Sequence, residues 1–566
     1  MAWFTLLSTT GALLCTVFCY AIRVTYIHRC KINELRKQGM PMPKWNWVTG
    51  HLLVLQKYLD RIPTGASVVL ALSELAREEF PDTEAFLLDV WPIYPPQLVV
   101  FGPEICNQIC NKYNLPKPDI ASKMMRPISG GPDLVTMNGD EWKYWRSIFN
   151  PGFSTGAMAD NVSHIIDSVL VFREKLVERI GKGMFSLDEF ATQLTTEVIL
   201  KVTLDDDSHY QRSPHILISA LRRIMDWHSF WDPRIRLNPL RPLVQTYNSR
   251  IMTSYIRGVL EKHFQEAKGK NAQDAAATPK LPKSVIALAL KAYSADKGAD
   301  QVLQQNHLDD GFAEYATWQI RVFLLAGTDT TASMLVYVYH VLEKYPQWLH
   351  RLRQEFDEVF GPNQAETAAL LKKNPSLLNN CKATVAVIKE TLRLYVPAGT
   401  VRDSLPGTVV TDLHGNAYPV DYIGANVLHQ ALHLNSRVWP RADEFLPERF
   451  LVEPGHELYP NPDAFRPFEH GSRNCIGQTL VWNELKLAVI LTCRDLEIRD
   501  AYQEFDAEVE KRMGMVSKLK RYIFGQSTIT LNGERAFQTD TSGMHAANGY
   551  PCYVSWAKQG SDEDSM

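Results

Sequence analysis

The stretch FEHGSRNCIG, Phe468–Gly477, decides how this chain is interpreted, because it groups one cysteine with an aromatic ring, an arginine and two glycines. Cys475 lies just before an apolar, helix-forming run that begins at Gln478. Unpaired backbone amides and the positive end of a helix dipole at that point favour a thiolate over a thiol. The pattern therefore predicts a reactive or metal-binding sulfur rather than a packed one.

The neighbours of Cys475 suit a large, flat, anionic cofactor. Phe468 supplies an aromatic wall, and Arg473, two residues from the sulfur, can bind a carboxylate through its guanidinium. Gly477 allows the backbone to pass close to a planar ligand. A thiolate able to bind iron, next to an arginine able to bind a carboxylate, fits haem.

Composition excludes several other classes of protein. The 566 residues are 45% hydrophobic with a formal net charge of -3, so the chain can bury one large core or a few ordinary ones. Without a basic block interleaved with aromatic residues, nucleic acid is not an expected partner. The 9 cysteines are odd in number and scattered, which is unlike a secreted disulfide framework and indicates reduced thiols.

The N-terminus predicts a membrane anchor. Residues 2–22 carry no charge, and at ~1.5 Å per residue a helix of this length spans the hydrocarbon core of a bilayer. The basic residues follow the apolar run, which favours a single-pass anchor with the rest of the chain in the cytosol over a cleaved signal peptide, although the latter stays open. A basic, proline-containing linker is expected over 23–50, and a catalytic domain over 51–566.

Helical periodicity dominates that domain. It predicts helices over Ser163–Ile180, Leu187–Leu204, Leu240–Ala267, Asp309–Tyr345, Gln347–Phe360, Asn379–Leu394 and Gln478–Cys493. Strand patterns are fewer, and they predict a strand over Gln97–Phe101 and a hairpin around His414–Asn416. Residues 268–306 resemble a surface insertion and 560–566 an acidic tail. The expected fold is mainly α with small β-sheets.

Five motifs in a fixed order identify a family resemblance. Phe468–Gly477 contains FxxGxRxCxG, and it is preceded by WxxxR at Trp142 and Arg146, AGTDTT at Ala326–Thr331, ExxR at Glu390 and Arg393, and PERF at Pro447–Phe450. ExxR and WxxxR carry little information alone, but the ordered set is specific. The chain resembles the cytochrome P-450 family, haem-thiolate monooxygenases, and is most similar to membrane-anchored fungal enzymes of secondary metabolism.

The resemblance implies how haem is bound. Cys475 would be the axial ligand of the iron, and the haem would be noncovalent, since CxxCH is absent from the sequence. Guanidinium groups match the haem propionates, with the indole N–H of a tryptophan assisting. The residues expected around the cofactor are Trp142, Ala326, Arg146, Arg402, Phe468, Arg473 and Gly477.

Oxygen chemistry is implied for the long helix Asp309–Tyr345, which would run about 55 Å and cross over the haem. In the family, the hydroxyl at Thr330 positions activated oxygen and the carboxylate at Asp329 helps to relay protons. Glu390 and Arg393 share a helix face and would pair with Arg449 as a structural support for the Cys475 loop.

The implied function is a monooxygenase that inserts one atom of dioxygen into a lipophilic substrate, with hydroxylation, epoxidation or desaturation left open. Its electrons would come from an NADPH-dependent flavoprotein reductase, with cytochrome b5 as a second candidate donor, at the endoplasmic reticulum membrane. The reductase would dock near Cys475, against basic residues such as Lys143. Substrate-pocket candidates are Leu325, Ala398, Gly399 and Thr400.

Two alternatives share the cysteine. A thiolate-haem isomerase or dehydratase, or a haem-binding sensor, would use Cys475 without needing the acid–alcohol pair Asp329 and Thr330, so that pair favours the monooxygenase. The zincin-like spacing of His429 and His433 lacks a catalytic glutamate, because Gln430 occupies its position.

Overall fold

The computed structural model describes residues 2–229, 233–273, 284–298, 304–514 and 529–557. Helices make up most of this part of the chain, and the strands within it form small sheets. The predicted fold class, mainly α with small β-sheets, is therefore confirmed.

The helices are given in chain order. They are α1 Ala2–Lys37, α2 Leu52–Leu59, α3 Val68–Glu79, α4 Pro103–Asn107, α5 Asp119–Ser129, α6 Gly139–Phe149, α7 Thr155–Asp160, α8 Val162–Glu178, α9 Leu187–Leu204, α10 Ile216–Asp226, α11 Pro233–Arg236, α12 Arg241–Gln273, α13 Val285–Lys297, α14 Asp310–Lys344, α15 Pro346–Phe360, α16 Gln364–Lys373, α17 Lys382–Leu394, α18 His429–His433, α19 Gln478–Thr492 and α20 Tyr502–Arg512.

The strands are short and sit at the edges of the helical body. They are β1 Ala85–Leu88, β2 Gln97–Val100, β3 Phe185–Ser186, β4 Thr400–Arg402, β5 Val409–Thr411, β6 Ala417–Pro419, β7 Gly424–Val427, β8 Leu496–Asp500 and β9 Pro551–Trp556. The sheet orders are β1-β2-β7-β4, β3-β9-β8 and β5-β6. In the first sheet β2 and β7 are parallel, and β4 is antiparallel to β7.

The central helix α14 organises the main core. It begins where Asp309 accepts a hydrogen bond from the amide of Phe312 at 2.8 Å, and its residues are buried over most of its length. A Cβ on Gly327 would lie 2.7 Å from Ile199 of α9, so glycine lets the two helices approach closely there. The Thr195 hydroxyl of α9 donates to the carbonyl of Thr328 at 2.9 Å, which fixes the crossing.

The elements predicted from the sequence are confirmed, with ends shifted by a few residues, and the predicted hairpin is β5–β6. The surface insertion predicted over 268–306 is wrong in its middle. There α13 buries apolar side chains, among them Val285, Ile286 and Ala289, in the main core. Residues 274–283 and 299–303, and the predicted tail 560–566, lie outside the described residues.

The N-terminal helix is longer than the predicted anchor. α1 continues to Lys37, through the first half of the predicted linker 23–50. Its segment Thr9–Lys37 is long and apolar enough to cross a membrane, and none of the apolar window within it is buried in the protein. Asp310–Lys344 passes the same length and composition test, but 67% of its apolar window is buried, as expected of a core helix.

A buried ion pair joins α1 to the body. Arg29 donates to the Asp89 carboxylate and to the carbonyls of Val48 and Trp91, each at 3.1 Å. His28 and Trp45 contact the same carboxylate at 2.9 and 3.0 Å. Burial opposes the charge on Asp89, but these hydrogen bonds and the Arg29 cation outweigh it and lower its pKa to about 2. Arg29 is thus a buried structural residue, and its assignment to a basic linker is wrong.

Replacement of Asp89 by Asn should detach the end of α1 from the body, because it leaves the Arg29 cation buried without a counter-charge. We expect a loss of about 3–5 kcal/mol in the free energy of unfolding, measured by urea denaturation at pH 7. The matched control is Glu78→Gln, which removes an exposed ion pair with Arg61 and should change the free energy of unfolding little. Equal losses in the two variants would contradict a structural role for the buried ion pair of Arg29 and Asp89.

Candidate active site

A cavity of about 300 Å³ lies between the Cys475 loop and the central helix. Its lining includes Ala326 and Thr330 from α14, together with Phe468, Arg473, Cys475 and Gly477. Ala398, Gly399 and Thr400 also line it, as predicted for the substrate pocket, whereas Leu325 is not among the lining residues. Larger clefts exist, such as one of about 590 Å³ lined by Arg61 and Arg77, but that one contains none of the predicted site residues.

The conformation of the cysteine loop depends on local backbone constraints. The Cys475 amide donates to the carbonyl of Phe468 at 2.9 Å, which closes the loop. Gly471 has a φ of +77°, and a Cβ there would lie 2.3 Å from the side-chain oxygen of Asn111, so only glycine is accommodated. The close approach at Gly471 is thus to the protein itself.

The Cys475 side chain is accessible because it opens into the cavity, yet the protein around it is dense. Burial raises the pKa of the Cys475 thiol, while a hydrogen bond with the backbone of Gly477 and the charge of Arg146 act in the opposite direction. The start of α19 therefore supplies the electrostatic help predicted from the sequence. A coordinated cation would complete the ionisation, since metal binding deprotonates a thiol.

A buried ionic cluster supports this loop from behind. Glu390 receives two hydrogen bonds from Arg393, at 2.7 and 2.8 Å, and one from Arg449 at 3.3 Å, and all three side chains are fully buried. Arg393 also donates to the carbonyls of His433 and Ala442, at 2.7 and 2.6 Å. The predicted trio is thus present, and it ties α17 to the chain that precedes the cysteine loop.

His433 extends this network of buried hydrogen bonds to the cysteine loop. Its Nε2 accepts from the amide of Arg466 at 3.0 Å, and burial keeps its pKa well below the ordinary value, so the ring is neutral. The Arg466 side chain donates to Glu469 at 2.7 Å, and Glu469 also contacts His429 at 3.0 Å. A continuous chain of contacts therefore runs from Glu390 to the residues on either side of Phe468. The sequence analysis assigned no function to His429 or His433, so it missed their role in supporting the cysteine loop.

Substitution of Glu390 by Gln should leave two buried arginines without a counter-charge and loosen the Cys475 loop. We expect a loss of about 3–5 kcal/mol in the free energy of unfolding, together with a smaller fraction of protein whose reduced carbon monoxide complex shows a thiolate spectrum. Glu444→Gln, which removes only the exposed ion pair with Arg441, is the matched control. A Glu390→Gln protein as stable as this control would rule out the supporting role.

A cluster of cations lies beside the cavity, although only Arg473 among them is a lining residue. Arg402 is fully buried, and none of its three guanidinium nitrogens has a hydrogen-bond partner among the described residues. Burial and the neighbouring cations Arg402 and Arg146 lower the pKa of Arg473 to about 10. Burial, with Arg402 close by, lowers the pKa of Lys117 to about 7.

The unpaired Arg402 is the fit test for haem, whereas Lys117 donates to the hydroxyl of Thr400 at 2.6 Å and Arg473 donates to the carbonyl of Met137 at 2.7 Å. A buried cation without a partner is costly, so an anionic group is needed beside Arg402. Two carboxylates at the edge of a planar ligand would meet that need, and the thiol of Cys475 opens into the same cavity. The residues present therefore fit haem. Lys117 is a fourth cation, and it belongs to none of the motifs.

The other predicted haem contacts are engaged by the protein itself. The Trp142 indole donates to the carbonyl of Leu134 at 3.1 Å, so its N–H is used, and its ring stacks under Arg473 at 4.1 Å. Arg146 donates to the backbone and side chain of Asn474, each at 3.1 Å. Neither residue is among the cavity-lining set. In this structure Trp142 thus positions Arg473.

Replacement of Arg402 by Gln should weaken haem retention, because a charged hydrogen-bond donor to the cofactor is lost. A loss of about 1.5–3 kcal/mol corresponds to haem release roughly ten- to a hundredfold faster. Transfer of haem to excess apomyoglobin measures the rate, and Arg441→Gln, on the exposed surface, is the control. Unchanged release would exclude Arg402 from the cofactor site.

The acid–alcohol pair is split between two environments. The Thr330 hydroxyl donates to the carbonyl of Ala326 at 2.9 Å, within its own helix, and Thr330 lines the cavity. The Asp329 carboxylate points elsewhere, to His545 at 3.1 Å, and its second oxygen is buried without a partner. His545 comes from the C-terminal loop, and sequence reasoning missed it because nothing local marks it.

Comparison with known proteins defines the class. A family model described as cytochrome P450 matches residues 41–524. Cytochrome P450 monooxygenase polC of Polytolypa hystricis is 36% identical over 552 residues, covering 95% of this chain and 94% of that protein. Cytochrome P450 monooxygenase acrF of Aspergillus aculeatus is 28% identical, covering 83% and 94%. The crystal structure of the cytochrome P450DA heme domain matches with a TM-score of 0.64 at 18% identity, covering 92% of this chain and 97% of that one.

The fold and cavity are those of a haem-thiolate protein. The chain belongs to the cytochrome P450 family, and its fungal relatives are named monooxygenases. The predicted family, fold and cofactor class are thereby confirmed.

Proposed function

We propose that this protein is a membrane-anchored monooxygenase that takes electrons from a separate NADPH-dependent reductase and inserts one atom of dioxygen into a lipophilic substrate. The observation that carries the proposal is that Cys475 and Thr330, which are far apart in sequence, line one cavity. An isomerase, a dehydratase or a sensor needs the cysteine but not the hydroxyl. The cavity therefore supports oxygen chemistry over those alternatives.

The residues around the cavity divide the work of binding and orienting haem. When bound, haem supplies the redox chemistry that activates dioxygen. Cys475 would hold the iron as a thiolate, while Arg402 and Arg473 would neutralise the propionates. Glu390, Arg393 and Arg449 keep the cysteine loop in register through buried hydrogen bonds. The roles of Asp329 and Thr330 would be to supply and orient protons in the cavity.

The proposed substrate is apolar. The cavity lining includes many hydrophobic side chains, among them Val135, Phe153, Ile199, Phe323, Met334 and Val481. Such a lining favours the binding of an apolar substrate over a charged one. Because the related enzymes come from fungi, we propose a fungal secondary metabolite, such as a polyketide or terpenoid, with hydroxylation, epoxidation or desaturation as the reaction.

The reductase would dock on the surface beneath the cysteine loop. A cleft of about 560 Å³ there is lined by Phe468 and Trp482 together with the basic Lys389 and Lys486. Basic groups beside aromatic ones suit an acidic flavoprotein, and cytochrome b5 would use the same face. Lys143, named from the sequence, is exposed but paired with Asp140 at 2.8 Å, which makes it a weaker contact.

The proposed location is the endoplasmic reticulum membrane with the catalytic body in the cytosol. Support comes from the unburied apolar window within Thr9–Lys37 and from the basic residues near the C-terminal end of that segment. The buried pair of Arg29 and Asp89 would hold the body at a fixed orientation to the bilayer.

Purified membranes test the function directly. With reductase, NADPH and isotope-labelled dioxygen, the wild-type protein should incorporate one labelled atom per product from a panel of apolar metabolites, detected by mass. Cys475→Ser should lose both the product and the thiolate signature of the reduced carbon monoxide spectrum. Cys30→Ser, outside the cavity, is the control. A thiolate spectrum that survives in Cys475→Ser would overturn the assignment.

A further inference from the structure

His545 bridges two carboxylates from distant parts of the chain. Its Nδ1 lies 2.5 Å from an Asp188 oxygen at the start of α9, and its Nε2 lies 3.1 Å from an Asp329 oxygen in the central helix. The His545 side chain is 11% exposed, and the two carboxylates are 20% and 22% exposed. Both ring nitrogens are thus committed to acidic partners in a largely buried site.

The loop that carries His545 is held firmly against the central helix. The Ser333 hydroxyl donates to the carbonyl of Met544 at 3.1 Å, and Thr539 donates to the His545 carbonyl through both its amide and its hydroxyl, each at 2.9 Å. Gly543 has a φ of +72°, and a Cβ there would lie 2.9 Å from the backbone oxygen of Asp329. The position of the imidazole beside Asp329 therefore follows from the fold.

The surroundings keep this imidazole charged. Burial disfavours the cation, but hydrogen bonds and charge from Asp188 and Asp329 outweigh it and raise the pKa of His545 to about 10. The other titratable groups near Asp188 are Tyr337 and Tyr502, whose pKa values burial raises, so that both stay neutral. At neutral pH the ring therefore carries two protons, one facing each carboxylate.

Asp329 connects this site to the cavity. One of its oxygens contacts His545, while the other is buried with no hydrogen-bond partner in the described part of the chain. The next residue, Thr330, lines the cavity. Asp329 is thus adjacent in the helix to a cavity-lining residue, although it does not itself line the cavity, and its second oxygen lies near Gly543.

We propose that His545 is the proton donor for Asp329, and that Asp188 orients the imidazole and keeps it in the charged form. This inference rests on the proposed monooxygenase function, because that reaction consumes protons. It assigns positioning roles in proton supply to His545 and Asp188, two residues outside all five motifs.

The transfer balances without a further reactant. The Nε2–H bond of the imidazolium breaks and an O–H bond forms on Asp329, which leaves a neutral imidazole with its proton on Nδ1, facing Asp188. Asp329 then passes its proton to the hydroxyl oxygen of Thr330, which releases its own proton into the cavity, and Asp329 becomes a carboxylate again. Solvent returns one proton to the imidazole, whose side chain is 11% exposed. One proton has moved from solvent to the cavity, and no electron has moved.

The first experiment measures coupling in reductase-containing membranes. His545→Gln keeps a hydrogen-bonding side chain but cannot store a proton, so product formed per NADPH should fall about tenfold or more, with the missing reducing equivalents released as peroxide. The carbon monoxide spectrum and the KM for substrate should stay at wild-type values. The control is His340→Gln, another buried histidine, which contacts Tyr550 and not Asp329.

The second experiment separates proton supply from a structural role. Asp188→Asn removes one of the two carboxylates that keep His545 charged, so coupling in this variant should be lost at a lower pH than in the wild type, in which it persists toward pH 10. A structural defect would lower coupling equally at every pH. A flat profile in Asp188→Asn, or wild-type coupling in His545→Gln, would overturn the relay alone. Absence of NADPH-dependent turnover in the wild type would overturn the relay and the proposed function together.

A third readout does not depend on turnover. Because the folded pKa of His545 is raised from 6.5 to about 10, its charge stabilises the fold fully below pH 6.5, and this contribution is lost as pH rises toward 10. The melting temperature of His545→Gln should therefore lie furthest below wild type near pH 6, and the gap should close by about pH 10. A gap that does not change with pH would show that the ring is neutral and would overturn the donor role.

Discussion

The buried contact between Glu390 and Arg393 is the constraint on which the active site depends. It would be expensive in isolation, since burying a charged pair costs much of what the pairing returns. Its value lies in the hydrogen bonds that surround it, through which Arg393 reaches the backbone at His433 and Ala442. His433 then fixes the amide of Arg466, just before the cysteine loop. A wrong loop position would leave several buried polar groups unpaired, and that penalty defines where Cys475 can lie.

The protein also holds a group of cations without a counter-charge beside the cavity, and this group indicates what the cavity binds. Arg402 is fully buried with no partner for its guanidinium among the described residues, and its charge, after burial, lowers the pKa of both Lys117 and Arg473. A chain would not retain such a cluster for stability alone, because unpaired buried cations destabilise a fold. The cluster is stabilising only when an anion occupies the cavity edge. The buried ion pair at Glu390 and the cationic cluster thus have different roles. The ion pair positions the sulfur of Cys475, and the cluster would bind the anionic groups of the cofactor.

Much of the site could be predicted because its parts lie in short motifs. A few neighbouring residues are enough to recognise each of three motifs: the loop around Cys475, the pair Glu390 and Arg393, and the segment Ala326–Thr331. The predictions that failed did so for a physical reason. Residues 268–306 are polar on average, yet α13 buries one face in the core. Arg29 follows an apolar run like any flanking basic residue, yet it pairs with Asp89, 60 residues away.

The sequence by itself determined the helical fold class, the thiolate-forming cysteine and the order of the motifs, because periodicity and spacing are local properties of the chain. Only the tertiary structure decided which charges are paired. Asp188 and His545 are separated by 357 residues, and His545 and Asp329 by 216. No local pattern marks such a pairing, since each residue taken alone is an ordinary polar side chain. Packing of α9, α14 and the C-terminal loop removes water from between them, and the direct contacts that result set the charge on the imidazole.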